Sequence, residues 1–458
     1  MKTTIALLLA AGRVSRRLVH FFAAGTVLRR GALLAALALP CFSGQGGTAA
    51  DSAAQAGIAS SASGARTNAP PVLLVAARDT DHALAAGNPG TNIFLGMAGI
   101  YSGLFSSAEI GAATDETAGE IANLTLNSRG SYSGTVYLGG SSGFGISGHF
   151  TPNGYATNVV TNGLDGHVKV ELQVNGNSKP RTITGSVIGT NRIVVRGTNQ
   201  TGWISQVALI ASLTNTSHFA PAYTLLIPPA ADSNGTNSPA GCSYGLLTNS
   251  PGSTAPATVF FRGLLADWAS IGTAMPIRED NEIAVYLNYY NTPQPGMLYG
   301  MLNLVSNPPF VPSGSLTWIR KAGSTGLFTN GFTNYYPAVP ISPWSNLVPI
   351  NRVITSNQLV LSGGGLTAPL TYSVRLNGTN LVLTGTGGTT NHASGSVNTN
   401  NGRLKFTFTN DVKKTVTGKG AILQNTSVSD MLGGGFFIVG PQAAPTNSGS
   451  IVLQLPAP

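Results

Sequence analysis

Short apolar runs alternate with clusters of Gly, Asn, Ser and Pro from about residue 124 onward. In HVKVELQV, residues 167–174, Val168, Val170, Leu172 and Val174 share one face, and His167, Lys169, Glu171 and Gln173 share the other. A period of two is that of a strand with one dry side and one wet side. LKFTFT, residues 404–409, alternates the same way and puts Leu404, Phe406 and Phe408 together. Runs of this kind predict strands at 124–126, 131–138, 143–150, 155–160, 167–174, 181–188, 192–196 and 203–213. They resume at 243–247, 257–265, 282–289, 297–304 and 314–320, then at 358–361, 370–376 and 381–385. The closing group is 394–397, 403–408, 415–423, 435–439 and 450–453. Regularly spaced short strands with Gly and Asn turns make an antiparallel sandwich or barrel.

The expected fold is therefore all-β, with two related antiparallel barrel-like or sandwich-like domains. The first spans 91–228 and the second 241–458, and the Pro- and Asn-rich stretch 229–240 is read as the linker between them. An internal echo supports the pairing. Ser131-Tyr-Ser-Gly-Thr-Val136 followed by Ile146-Ser-Gly-His-Phe150 resembles Ala393-Ser-Gly-Ser-Val397 followed by Val416-Thr-Gly-Lys-Gly-Ala-Ile422. Glycine inside such strands marks bulges or tight bends where a curled sheet turns a corner.

The N-terminus reads differently. Lys2, Arg13, Arg16, Arg17, Arg29 and Arg30 precede the first acid, Asp51. Arg29-Arg30 flank the apolar run Gly31–Leu39, and small residues follow to Ala50. These are the three parts of a secretory signal, placed at 1–50, with a low-complexity linker at 51–90. The apolar run is too short to span a bilayer, so no permanent membrane anchor is expected. Ser15-Arg16-Arg17 and Cys41 leave a twin-arginine or a lipoprotein signal as alternatives. The remaining 19 basic and 16 acidic side chains nearly balance, which argues against a nucleic-acid partner.

Candidate chemistry is sparse. The glycine-rich GSYSGTVYLGGSSGFGISGHF, residues 130–150, lies between strands, and no Lys follows its glycines. A phosphate loop needs Gly-Lys-Ser/Thr running into a helix, so no nucleotide or other cofactor is expected. No histidines are spaced as a zinc pair. Asp115-Glu116 with Glu120 and Asn123 either close a calcium loop or form a solvated turn. Glu279, Asp280 and Glu282 form a second acidic group, and Asp267 with Glu282 is one conceivable glycosidase pair among few acids. Cys242 reads as a small buried apolar side chain. Five aromatics are candidates for stacking on a ligand: Trp268, Trp318, Trp344, Tyr289 and Tyr335. Buried, the same rings would be core residues with a polar tip.

Several segments resemble a glycine-rich, β-barrel-like module of large exported surface proteins of environmental bacteria. They are Gly99–Phe105, Gly130–Gly134, Arg262–Asp267, Gly314–Trp318, Gly418–Gln424, Gly434–Gly440 and Ser448–Val452. The resemblance implies an exported β-rich module with no established activity. The leading expectation is a non-enzymatic protein of the cell surface or periplasm that acts by binding or structural contacts, with a cell-envelope or glycan partner. A carbohydrate-binding module or secreted glycan-active enzyme is one alternative, and an outer-membrane β-barrel is the other.

Overall fold

The computed structural model describes residues 92–107, 113–139, 143–162, 166–176, 178–195, 198–215, 219–250, 256–289, 296–304, 312–323, 327–354, 357–385, 392–424, 431–440 and 447–455. The signal and linker expected at 1–90 lie outside them.

The period-two runs become strands of antiparallel sheets, as their alternation requires. β1 (Gly99–Ser106), β2 (Gly119–Leu126), β3 (Ser131–Leu138) and β4 (Phe144–His149) are followed by β5 (Tyr155–Asn162), β6 (Gly166–Asn175), β7 (Thr182–Val195) and β8 (Thr198–Ala211). Their order is β4-β3-β2-β1-β8-β7-β6-β5, a sheet curled into a nearly closed barrel. The edge strands β4 and β5 are consecutive, joined by a turn in which the Gly154 N–H donates to the Thr151 carbonyl at 2.8 Å. Val168, Val170, Leu172 and Val174 all point inward, beside Tyr101, Phe105 and Phe150. The glycine-rich stretch supplies β3 and β4, and Gly130 takes a φ of 88° at the turn before β3.

The next strands form two sheets over one shared core. β9 (Ala222–Ile227), β10 (Ser243–Ser250), β11 (Thr258–Leu264), β12 (Ser270–Pro276), β13 (Glu282–Asn288), β14 (Gly296–Asn303), β15 (Ser313–Arg320), β16 (Phe332–Tyr336) and β17 (Ile341–Trp344) sort into the orders β12-β11-β10-β9-β17 and β13-β14-β15-β16. Leu225, Leu247, Phe261, Ile283, Leu298 and Trp318 fill the space between them.

The last eight strands close a full barrel. β18 (Asn357–Gly363), β19 (Leu370–Asn377), β20 (Asn380–Gly385), β21 (Ala393–Val397), β22 (Arg403–Thr409), β23 (Thr415–Ile422), β24 (Met431–Val439) and β25 (Asn447–Gln454) run in sequence order, and β25 pairs back onto β18. Leu404, Phe406 and Phe408 point into it, as their spacing demands.

Two expectations about organisation change. The strands gather into three β bodies, and 229–240 does not separate domains. It is the loop of a hairpin, because β9 pairs directly with β10 through Ser243↔Ile227 and Tyr244↔Leu226. Its composition imitates a linker because Asn side chains satisfy its backbone locally: Asn234 Oδ1 accepts from the Thr236 and Asn237 N–H groups, both at 2.9 Å. The loop is also tied to the closed barrel, where the Ser448 N–H donates to the Gly235 carbonyl at 3.2 Å. The internal echo is equally partial. β3 pairs with β4, whereas β22 lies between β21 and β23.

The bodies are sewn together by backbone. The Leu213 N–H donates to the Ile277 carbonyl at 2.8 Å, and the Glu279 N–H to the Ala211 carbonyl at 2.7 Å. Beside them Arg181 Nε meets Glu279 Oε1 at 2.8 Å, and Arg181 Nη1 reaches the Ala98 carbonyl at 2.6 Å.

Candidate functional site

Each barrel interior holds a cluster of buried apolar side chains. The candidate site lies outside them, in a groove of about 510 Å³ between the first barrel and the two-sheet body. Its floor and one side follow β12 along its whole length, Ser270 to Pro276, and β13 contributes Tyr286 to Asn288, with Tyr289 just beyond it. The opposite wall is β2 and β3, with Glu120, Ala122, Asn123 and Tyr137.

Topology explains why a groove forms there. β12 pairs only with β11 and β13 only with β14 among the described residues, so each is the edge of its sheet. β12 alternates Ile271 and Met275 into the core with Ser270, Gly272 and Ala274 on the exposed side. Those outward side chains are small, so the backbone of the strand is approachable.

The opposite wall is shaped by a paired irregularity. Register slips between Ala122 and Thr125 in β2 and between Tyr101 and Gly103 in β1. Asn123 takes a φ of 52° there, a left-handed conformation that asparagine tolerates better than most residues. Its N–H donates to Ser102 Oγ at 3.2 Å, which holds the bulge in place.

Glu120 is the chemical centre of the groove. It sits opposite Leu104 on one side and Tyr137 on the other. Both neighbours pack against Ala113, Ala118, Tyr286, Met297 and Tyr299. The Tyr137 and Tyr286 rings lie 6.1 Å apart across the seam. Loss of water around the half-buried carboxyl pushes its pKa up from 4.5 to about 8. Apart from tyrosine, the lining residues carry no second ionisable group. Burial therefore favours the protonated form of Glu120, which both donates and accepts hydrogen bonds.

Asp115, Glu279, Asp280, Glu282 and Asp267 are engaged elsewhere. Asp115 meets Lys321 Nζ at 2.6 Å, Glu279 meets Arg181, and Asp280 and Glu282 converge on Arg278. Asp267 is sealed against Arg320 with both side chains buried, so it and Glu282 do not flank a shared space as a glycosidase pair would. No three His, Cys, Asp or Glu side chains cluster to hold a metal ion among the described residues.

The five candidate aromatics are not brought together. Trp318 is 1% exposed, donates Nε1–H to the Tyr289 hydroxyl, and meets the Phe332 ring edge-on at 4.9 Å. Tyr289 is buried with it and reaches only the groove wall; burial raises its hydroxyl pKa well above the ordinary range. Trp344 is enclosed in the core of the closed barrel. These three rings are corrected to core residues, since the apolar surfaces that would stack on a ligand are covered by protein. Tyr335 is 44% exposed on β16, an edge strand away from the groove lining. Trp268 is half-buried, edge-on to Phe436 at 5.3 Å, with Lys419 Nζ 4.5 Å from its ring centroid. Sequence reasoning reached Glu120 only as part of a calcium loop or a solvated turn, and missed β12 and a site role for Tyr137. No protein-family model, curated protein or solved structure matches the chain.

Proposed function

We propose that the chain is an exported, non-enzymatic protein of the cell surface or periplasm that binds a neutral glycan in the groove beside β12. The observation that carries this reading is Glu120, a half-buried carboxyl without a partner among the described residues that lines an open groove, where burial favours its protonated form. Around it stand the groups that polyhydroxylated ligands use: the Asn123 and Asn288 amides, the Ser270 and Thr273 hydroxyls, and the Tyr137 ring. A strand of seven residues gives a groove roughly 20 Å long, suited to an extended oligomer. The lining holds a single carboxyl, and two-carboxylate glycoside hydrolysis needs a second, which supports binding over hydrolysis.

The outer face of the closed barrel supports a water-facing protein. Ser373, Arg375, Thr384, Arg403, Lys405 and Thr415 are exposed while Phe406 and Phe408 point inward, the reverse of an outer-membrane barrel. Export rests on the residues before 51 and is tested by N-terminal sequencing of protein recovered outside the cytoplasm.

A panel of immobilised neutral glycans tests the groove. The purified protein retains at least one glycan, and Glu120→Ala and Tyr137→Ala each abolish retention while circular dichroism is unchanged. Retention that survives both substitutions, or retention of no glycan at all, overturns the reading.

A further inference from the structure

A second surface lies at the seam between the two-sheet body and the closed barrel. On the outside of the barrel, Lys405 of β22 stands directly opposite Lys419 of β23. Arg403, two residues before Lys405 on the same strand, shares its face. Arg403 and Lys405 are exposed and Lys419 is half-buried. No carboxylate pairs with any of the three among the described residues. The acid nearest in sequence, Asp411 on the turn joining β22 to β23, accepts from the Thr367 N–H and hydroxyl, both at 2.8 Å.

Like charges directly opposite each other on a sheet are destabilising. The arrangement is nevertheless held in place by the neighbouring body. Lys419 pairs across β23 and β24 with Phe436, a barrel residue whose ring is buried in the core of the two-sheet body. Trp268 closes over both, edge-on to Phe436 and under the Lys419 ammonium. It does so from a φ of 71°, a position where glycine is the favoured residue. The turn that presents it is pinned by the buried Asp267–Arg320 pair and by the Ala269 N–H, which donates to Asp267 Oδ1 at 2.9 Å. Backbone strain and cross-strand repulsion are thus both spent on one point, where an ammonium is fixed beside two free cations. Burial, together with Arg403 and Lys405, draws the Lys419 pKa below the ordinary lysine value. A bound oxyanion would relieve all three cations at once.

We infer that Arg403, Lys405 and Lys419 form a binding site for the oxyanion groups of an acidic polysaccharide, with Trp268 as the positioning residue for Lys419. Carboxylate and sulfate share this chemistry. The cluster covers only neighbouring positions on two strands, far short of the phosphate track that a nucleic-acid chain engages. It does not depend on the groove beside β12.

The test measures binding of polygalacturonate, heparin, dextran and a single-stranded oligonucleotide by the full protein at low and moderate salt. At least one acidic polysaccharide binds, salt weakens it, and dextran does not compete at this site. Preference for polygalacturonate assigns the oxyanion as carboxylate, and preference for heparin, which carries both groups, shows that sulfate is recognised beyond carboxylate. Lys405→Ala and Arg403→Ala each weaken binding by roughly tenfold. Lys405→Ala also raises the melting temperature of the free protein, an effect that a merely structural lysine would not give. Trp268→Leu weakens binding through Lys419, while Lys413→Ala on the distant turn and Glu120→Gln in the groove leave it unchanged. Affinity of Lys405→Ala within about twofold of the parent overturns the inference, as does tighter binding of the oligonucleotide than of either polysaccharide.

Discussion

Arg320 Nη1 donates to Asp267 Oδ2 at 2.7 Å, and the two side chains are 1% and 0% exposed. Arg320 Nη2 donates onward to the Leu327 carbonyl at 2.8 Å, so the pair joins the β11–β12 turn to the segment after β15. Removing one partner strands a buried charge, which costs about 3–5 kcal/mol. Asp267→Ala should therefore lower the unfolding free energy by that order in urea titrations. The double substitution Asp267→Leu with Arg320→Leu should lose clearly less than the sum of the single ones, and additivity would deny the coupling.

Glu120 sets a pH dependence of definite sign. The unfolded carboxyl ionises near 4.5 and the folded one near about 8. Between those values the folded state holds a proton that the unfolded state has lost, so stability falls as pH rises and levels off above about 8. In Glu120→Gln that part of the decline disappears, and melting temperatures recorded from pH 5 to 9 should flatten relative to the parent. Identical slopes would place the titration elsewhere.

Gly435 tests how tightly β23 and β24 approach. A Cβ there would stand 2.3 Å from the Lys419 carbonyl oxygen, a backbone atom that cannot swing aside. Overpacking of this kind costs about 1–3 kcal/mol, so Gly435→Ala should be destabilised by that amount in thermal unfolding. Gly365→Ala makes a poor control because its φ is 78°, but Gly145→Ala, with open space around it, should be nearly neutral.

Cys242 should be chemically silent in the folded protein. It is 1% exposed, and burial pushes its thiol pKa up to about 12. A thiol-reactive chromophore should label it only on unfolding, since the thiolate is the reactive form. Stoichiometric labelling without denaturant would mean that the seam at Gly434, against which its sulfur lies, opens readily.

The sequence was legible where burial is one-sided. Strands such as β6 and β22 place every second residue in a core, and their alternation alone located them. The strands it missed obey other constraints. β9 is continuously buried from Tyr223 to Ile227 because one face lies in the two-sheet core and the other packs against β23 and β24 of the closed barrel, so it shows no alternation. β12, SIGTAMP, carries Gly272 and Ala274 where a strand-forming side chain would be expected and ends in Pro276. These edge-strand features hide it from propensity and also make the groove. The remaining sites depend on pairing between distant segments. Glu120 gains its character from Tyr286 and Leu104, and Lys405 and Lys419 become neighbours only through the register of β22 on β23. No local window contains that information.

The pairing of β18 with β25 bears on how the chain matures. The barrel that they close cannot form until Asn447–Gln454 has been synthesised, although Asn357–Gly363 emerged long before. The same late segment supplies Ser448, whose N–H and hydroxyl anchor the β9–β10 loop through Gly235 and Ala240. During synthesis, the β9–β10 loop and the open ring would both wait on one arriving strand.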